Sequence, residues 1–244
     1  MTRRLLTIFC AVILMWMPLR ALAFAIAPAS QDLSGRRETT IDSAIKVINT
    51  GNAEQTYYLG TLSFVPGIAS GSPEFIPYET DHSGLPEWIA FPVPTVTIPA
   101  NTMVEVPFSV TIPPGTPSGT LYAAITVSTS PSEVVASNGA SIDAKMASLL
   151  FVTVEGETVE RLALLDFVSA GDADGPFDLS RSYAFRLQNQ GNVAMVPTGS
   201  IVLTDLFGRV ISSQEINPES GGVLPATTRS FSGEIVPRAD GFLD

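Results

Sequence analysis

The chain has 244 residues, a formal net charge of −11 and 45% hydrophobic residues. This apolar content is too high for a disordered chain, and the acidic balance opposes binding to nucleic acid or to anionic lipid head groups. The single cysteine, Cys10, lies in an N-terminal apolar run, so an exported form would hold no disulfide, thiolate metal site or cysteine nucleophile.

The N-terminus has the pattern of an export signal. Arg3 and Arg4 precede an apolar run over residues 5–17, and Ala21-Leu22-Ala23 supplies the small-x-small site that signal peptidase cleaves. The run is shorter than the ~20 apolar residues of a membrane-spanning helix, although a retained N-terminal anchor is the alternative. We predict that residues 1–23 are a signal peptide and that the protein is exported to the cell envelope or cell surface.

Residues 24–156 have the pattern of a β-sandwich. In residues 103–112 apolar and polar side chains alternate, which is the period of a strand with one buried and one wet face. Short strands separated by turn signals are typical of an immunoglobulin-like sandwich. The predicted strands are residues 40–49, 55–65, 103–112, 121–129 and 146–154, the last of them apolar on both faces.

Residues 157–244 are predicted to form a second sandwich of the same kind. Its predicted strands are residues 162–168, 182–188, 200–206, 209–215 and 229–236, with a hairpin turning at Phe207-Gly208. The expected fold is therefore all-β, with two tandem immunoglobulin-like sandwich domains after the signal peptide.

The two units share two short motifs in the same order. Asn49-Thr50-Gly51-Asn52 and Asn189-Gln190-Gly191-Asn192 each follow a predicted strand. Ile98-Pro99-Ala100-Asn101-Thr102 and Leu224-Pro225-Ala226-Thr227-Thr228 each precede one. The common order suggests a duplicated sandwich, although such turn sequences also recur by chance.

The repeat also predicts that the second sandwich is incomplete. Two predicted strands follow Ile112-Pro113 in the first unit, whereas only a few residues follow Val236-Pro237 in the second. We expect an uncovered apolar face and a strand edge that is open to a partner β-strand. The chain is then a fragment of a longer protein, or a partner donates the strands. The alternative is that the second unit closes with fewer strands.

A long connection over residues 66–91 is the predicted ligand-binding site. Aromatic faces flanked by carboxylates suit sugar rings, and long loops on a rigid sandwich often carry binding sites. In the alternative interpretation, Trp88 and Phe91 pack into the core and the remainder is a solvated loop. The candidate ligand-binding residues are Phe75, Tyr78, Glu79, Asp81, His82 and Trp88.

Catalytic and metal-binding patterns are weak. His82 is the only histidine, and no spacing supports a catalytic set around it. Asp172 and Asp174, in Asp172-Ala173-Asp174-Gly175, offer oxygen ligands for Ca²⁺ but lack the final glutamate of a calcium loop. An acidic turn is the alternative. We therefore predict a binding protein with no enzymatic activity and no cofactor.

The turn and core motifs resemble those of WxL-interacting proteins, which pair a peptidoglycan-binding domain with a host-binding domain on bacterial surfaces. The resemblance covers most of the chain after the signal. It rests on Val47-Ile48-Asn49-Thr50-Gly51, Ile98-Pro99-Ala100, Ile112-Pro113 through Gly119-Thr120-Leu121-Tyr122-Ala123-Ala124-Ile125, Asn189-Gln190-Gly191-Asn192, Pro197-Thr198-Gly199-Ser200-Ile201, Asp205-Leu206-Phe207-Gly208 and Val223-Leu224-Pro225.

The resemblance implies a cell-envelope adhesion module whose first sandwich binds cell-wall glycan or surface proteins. Members of that family usually end in a membrane anchor and a basic tail. Because the sequence shows neither, membrane contact is expected only if a C-terminal anchor is missing from this chain.

The alternative function is that of a pilus-type periplasmic chaperone, which has two such domains and caps partner subunits by β-strand addition. That class requires a basic cleft and an exposed alternating strand. Lys145 and Arg161 are the only basic residues close in sequence to the strand over residues 146–154. A third alternative is a secreted glycan-acting enzyme, but the sequence shows no paired-carboxylate pattern that would support it.

Overall fold

The computed structural model describes residues 24–67, 72–76, 83–131, 144–170 and 181–236. The predicted signal peptide therefore lies outside the described residues. The described chain is built from strands, with one short helix, α1, at Leu85–Trp88. The all-β prediction with two tandem immunoglobulin-like sandwiches is confirmed. No helix within these ranges is long and apolar enough to cross a membrane.

The first unit is a sandwich of two main sheets and a small hairpin. One sheet has the order β1-β3-β9-β7, the other has the order β2-β11-β10-β4-β8, and β5 pairs with β6. The strands are β1 (Phe24–Ala27), β2 (Ser30–Gly35), β3 (Thr40–Asn49), β4 (Gln55–Leu62), β5 (Phe64–Pro66), β6 (Pro73–Phe75), β7 (Ile89–Ala90), β8 (Thr95–Ile98), β9 (Thr102–Thr111), β10 (Gly119–Ser128) and β11 (Lys145–Val154).

Alternating apolar side chains fill the space between these two sheets. On β9, Val106, Phe108 and Val110 point inward and are buried, while the residues between them face outward or are only partly covered. Ile125 and Val152 meet them from the opposite sheet. Burial of the apolar side chains between the two sheets, at about 25 cal/mol per Å² of apolar surface, is the main stabilising contribution to this unit.

The chain changes sheets near Pro28. β1 pairs antiparallel with β3, whereas β2 pairs in parallel with β11 in the other sheet. Because β2 begins only after this crossing, it covers β11 from Leu149 to Val154 and leaves the beginning of β11 without β2 beside it.

The second unit consists of a three-stranded sheet and a hairpin. β12 (Leu162–Ala170), β13 (Arg181–Asn189) and β16 (Thr228–Ile235) form a sheet of order β12-β13-β16. β14 (Ser200–Thr204) pairs with β15 (Val210–Glu215). Its core contains Tyr183, Phe185, Val223, Phe231 and Ile235.

Candidate functional site

The first half of β11 is an open strand edge. No strand of the described chain lies beside residues 145–148 on the side that β2 occupies further along. The N–H groups of Leu149 and Glu155 donate to Ala29 and Gly35 on that side, both at 2.9 Å. Backbone groups alternate in direction along a strand, so Lys145 and Ala147 turn their peptide groups toward the open side.

The outward face of β11 is apolar as well. Leu150 and Val152 point into the sandwich core, whereas Ala147, Leu149 and Phe151 point outward and are only partly buried. The open edge therefore continues directly into an apolar surface, which offers both backbone pairing and hydrophobic contact to one partner segment.

Four aromatic side chains collect on this outward face, and we call them the cleft aromatic cluster: Phe64, Phe75, Tyr122 and Phe151. The ring of Phe64 lies 5.0 Å from Tyr122, 6.3 Å from Phe75 and 6.4 Å from Phe151, measured between centroids. Burial raises the pKa of the Tyr122 phenol above its usual value. Phe75 keeps 43% of its surface exposed, so the cluster is accessible at that side.

The second unit packs against part of this outward face of β11, and we call the space between them the cleft. Leu224 packs into the same apolar cluster as Phe64 and Ala124. The junction is fixed by Asn192, whose carbonyl accepts from the Thr120 N–H at 2.8 Å and whose side-chain amide donates to the Ser118 carbonyl at 2.9 Å. The cleft therefore depends on the turn that carries Asn192.

Lys145 marks the far end of the cleft face. It lines a cavity of about 300 Å³ together with Tyr58, Gly60, Thr126 and Ser128. Arg161, the other basic residue near this strand in sequence, directly precedes β12 of the second unit. The face around the aromatic cluster is thus mainly apolar, with one lysine at its edge.

The predicted ligand-binding loop is only partly described. Phe75 lies on β6 and joins the cleft aromatic cluster. Trp88 ends α1 and packs, like Phe91, against the core of the first sandwich. This packing matches the alternative interpretation of these two residues. Tyr78, Glu79, Asp81 and His82 lie outside the described residues.

The candidate calcium residues Asp172 and Asp174 also lie outside the described residues. In the ranges that are described, no group of three or more histidine, cysteine, aspartate or glutamate side chains is arranged to hold a metal ion.

Sequence reasoning missed most of the cleft. The double-sided apolar pattern of β11 was the available signal, but it predicted a strand buried on both faces. In the structure the second face forms the partly exposed wall of the cleft. Phe64 and Tyr122 were assigned to strands, and nothing in their spacing showed that both rings lie on one outward surface.

Comparison with known proteins identifies solved structures that share this fold. No protein-family model and no curated protein matches the chain. A solved structure described as a chaperone–tip adhesin complex in CFA/I fimbriae biogenesis matches at a TM-score of 0.50 and 15% identity, over 86% of this chain and 85% of that chain. The likeness shows a shared two-sandwich fold.

Two further solved structures are similar at lower scores. The class 5 fimbriae chaperone CfaA has a TM-score of 0.49 at 15% identity, over 84% of this chain and 83% of that one. The Escherichia coli chaperone DraB has a TM-score of 0.47 at 12% identity, over 87% of each chain.

The predicted resemblance to WxL-interacting proteins is wrong, because a solved structure that shares the fold comes from a chaperone–tip adhesin complex of fimbriae biogenesis. The motifs misled for a physical reason. Asn49 and Asn189 hold turns inside each sandwich, so they report the fold and carry no information about a ligand. The predicted adhesion function is corrected with it, and the comparisons support neither a cell-wall glycan ligand nor a cell-surface location.

Proposed function

We propose that the protein is an exported, non-enzymatic binding protein that holds a pilus-type subunit by β-strand addition, as a periplasmic chaperone would. The observation that carries the proposal is the open edge of β11 at residues 145–148, which continues into the apolar outward row of the same strand. The fold shared with a chain of a chaperone–tip adhesin complex supports it.

The backbone of the open edge supplies the attachment. An incoming strand beside residues 145–148 would pair with the peptide groups of Lys145 and Ala147 that face away from β10, on the side where no described strand lies. Main-chain hydrogen bonds of this kind give affinity with little dependence on sequence, so one edge can serve several subunits.

The cleft aromatic cluster supplies the hydrophobic contribution. Phe75, on β6, keeps 43% of its surface exposed. Covering it with an apolar partner surface contributes about 25 cal/mol per Å². A subunit with an uncovered strand edge aggregates readily, and shielding that edge keeps it assembly-competent.

Ala147→Pro tests the proposal at one backbone group. The Ala147 N–H points to the open side, so proline there removes a donor to the partner and spares the pairing of β11 with β10. We expect about a tenfold loss of affinity for a pilus subunit, since one hydrogen bond contributes roughly 0.5–1.5 kcal/mol and the ring also obstructs the edge. The measurement is co-purification of tagged protein with pilus subunits co-expressed from the same genome.

Ala147→Val is the matched control, because it enlarges the same side chain and keeps the N–H. Wild type and Ala147→Val should both carry a subunit in a one-to-one complex. Equal recovery of subunit by Ala147→Pro and Ala147→Val contradicts strand addition at this edge. Failure of the wild type to retain any pilus subunit contradicts the proposed function itself.

A further inference from the structure

β12 is an exposed apolar strand edge in the second unit. Four of its side chains, Leu164, Leu165, Phe167 and Val168, keep between 46% and 60% of their surface exposed. β12 pairs with β13 on one side and with no other described strand. Edge strands are normally protected by charge, proline or cover, and β12 has only one charged residue.

That charged residue does not protect the edge. The Asp166 carboxylate accepts a hydrogen bond from Arg186 Nε of the neighbouring strand at 2.8 Å. This hydrogen bond lowers the pKa of the Asp166 carboxyl below its usual value. Because Arg186 offsets part of its charge, the ionised Asp166 leaves the edge of β12 with little net charge although the chain as a whole is acidic.

A row of stacked aromatic rings crosses the three-stranded sheet and ends at β12. Phe167, Phe185 and Phe231 are direct partners in the strand register. The ring centroids of Phe185 and Phe231 are 5.3 Å apart and those of Phe167 and Phe185 are 6.4 Å apart, with interplanar angles of 13° and 21°. Phe231 is buried and Phe167 is half-exposed, so the row stops at an uncovered ring.

We infer that two copies of the chain associate by antiparallel pairing of β12 with β12, about a twofold axis at Phe167. In this register Phe167 lies opposite Phe167 of the second copy. Asp166 lies opposite Val168 of that copy, because positions equidistant from the axis face one another. The aromatic row then continues without interruption through both copies.

The register is selected by charge and by strand shape. A twofold axis at Asp166 would set two carboxylates directly opposite each other, which is unfavourable. An axis closer to the N-terminal end of β12 meets the bulge between Leu164 and Asp166, where the ladder is irregular. The axis at Phe167 avoids the carboxylate pair and keeps the bulge away from the centre of the ladder, and Leu165 and Val168 lie within the paired segment.

Position 168 gives a test that depends on this register. Val168→Asp would place an aspartate opposite Asp166 of the second copy, twice in the dimer, whereas Val168→Lys would place a lysine there. We expect Val168→Asp to raise the dimer dissociation constant about tenfold or more, and Val168→Lys to leave it unchanged or to lower it. Sedimentation equilibrium of the purified protein, over roughly micromolar to millimolar concentrations, measures the dimer dissociation constant.

Val210→Asp is the control for an added charge. Val210 on β15 is 63% exposed, close to the 60% of Val168, and lies in the other sheet of the second unit. Val210→Asp should leave the dimer dissociation constant unchanged. Thermal unfolding of each variant checks that it remains folded. A wild-type protein that stays monomeric at every concentration overturns the inference. Equal weakening by Val168→Asp and Val168→Lys, or no effect of either, also overturns it.

Discussion

Replacing Asn49 by alanine should lower the free energy of unfolding by about 3–4 kcal/mol. The Asn49 side chain is buried at the end of β3. Its amide donates to the carbonyls of Ala53 and Ile98, both at 2.9 Å, and its oxygen accepts from the Gly51 N–H at 2.9 Å. Alanine leaves the buried Ile98 carbonyl without this partner, at roughly 1–3 kcal/mol, and removes two further part-buried hydrogen bonds. Urea unfolding followed by circular dichroism measures the loss.

Asn52→Ala is the matched control, because Asn52 lies in the same turn but is exposed. It should change the free energy of unfolding by less than about 0.5 kcal/mol. Asn49→Asp should destabilise at least as much as Asn49→Ala, since a carboxylate would face two carbonyl oxygens. If Asn49→Ala unfolds at the same urea concentration as Asn52→Ala, the turn does not depend on Asn49.

The second unit repeats this arrangement at Asn189. Its side-chain amide donates to the carbonyls of Val193 and Val223 at 2.7 and 2.9 Å, and its oxygen accepts from the Gly191 N–H at 2.9 Å. The first asparagine and the glycine of the shared motif therefore have the same role in both sandwiches, whereas the last asparagine is exposed as Asn52 and joins the two units as Asn192. The motif identifies an architectural turn, which is why it could not distinguish one family of such sandwiches from another.

Long strands of the sandwiches could be predicted from the sequence. β3 has the predicted bounds, and the ends of β9, β10 and β11 differ from the prediction by one or two residues. β9 alternates over ten residues, which gives a strong period of two, whereas β11 is recognisable as an apolar run of strand length. β1, β2 and β8 were missed because they are short, so few side chains were available to show a period.

The cleft could not be predicted, because it depends on which strands become neighbours. The open edge of β11 exists because β2 starts beside Leu149 and not beside Lys145, and no local pattern encodes that register. The aromatic residues of the long connection predict a binding site, yet Trp88 packs against the core. Loop composition alone does not separate an aromatic that binds from one that packs.

Gly119→Ala should disrupt the junction between the two sandwiches. A β-carbon on Gly119 would lie 2.2 Å from the carbonyl oxygen of Asn192, well inside van der Waals contact, and its φ of +132° disfavours any side chain. The turn of the second unit must move away by about 1 Å to restore normal contact. We expect a loss of about 2–4 kcal/mol in the free energy of unfolding, since junction hydrogen bonds are lost together.

Gly115→Ala separates the cost of a side chain at a positive φ from the cost of the contact with Asn192. Gly115 also has a positive φ, of +78°, but a β-carbon there meets nothing within 4 Å. Gly115→Ala should therefore lower the free energy of unfolding only through the strain of alanine at a positive φ, by about 1 kcal/mol. Small-angle scattering should show a larger radius of gyration for Gly119→Ala and an unchanged one for Gly115→Ala. Equal stability and equal scattering for the two variants would show that the contact between Gly119 and Asn192 does not hold the units together.

The same pair of variants connects the junction to the cleft. Leu224 reaches the cleft aromatic cluster only while the second unit is held against β10 through Thr120 and Asn192. When Gly119→Ala displaces that unit, Leu224 should withdraw and Phe64 and Tyr122 should become more exposed. We therefore expect Gly119→Ala, and not Gly115→Ala, to increase the fluorescence of a dye that binds exposed apolar surface, at temperatures where both remain folded. Equal dye binding by the two variants would mean that the cleft keeps its cover without this junction.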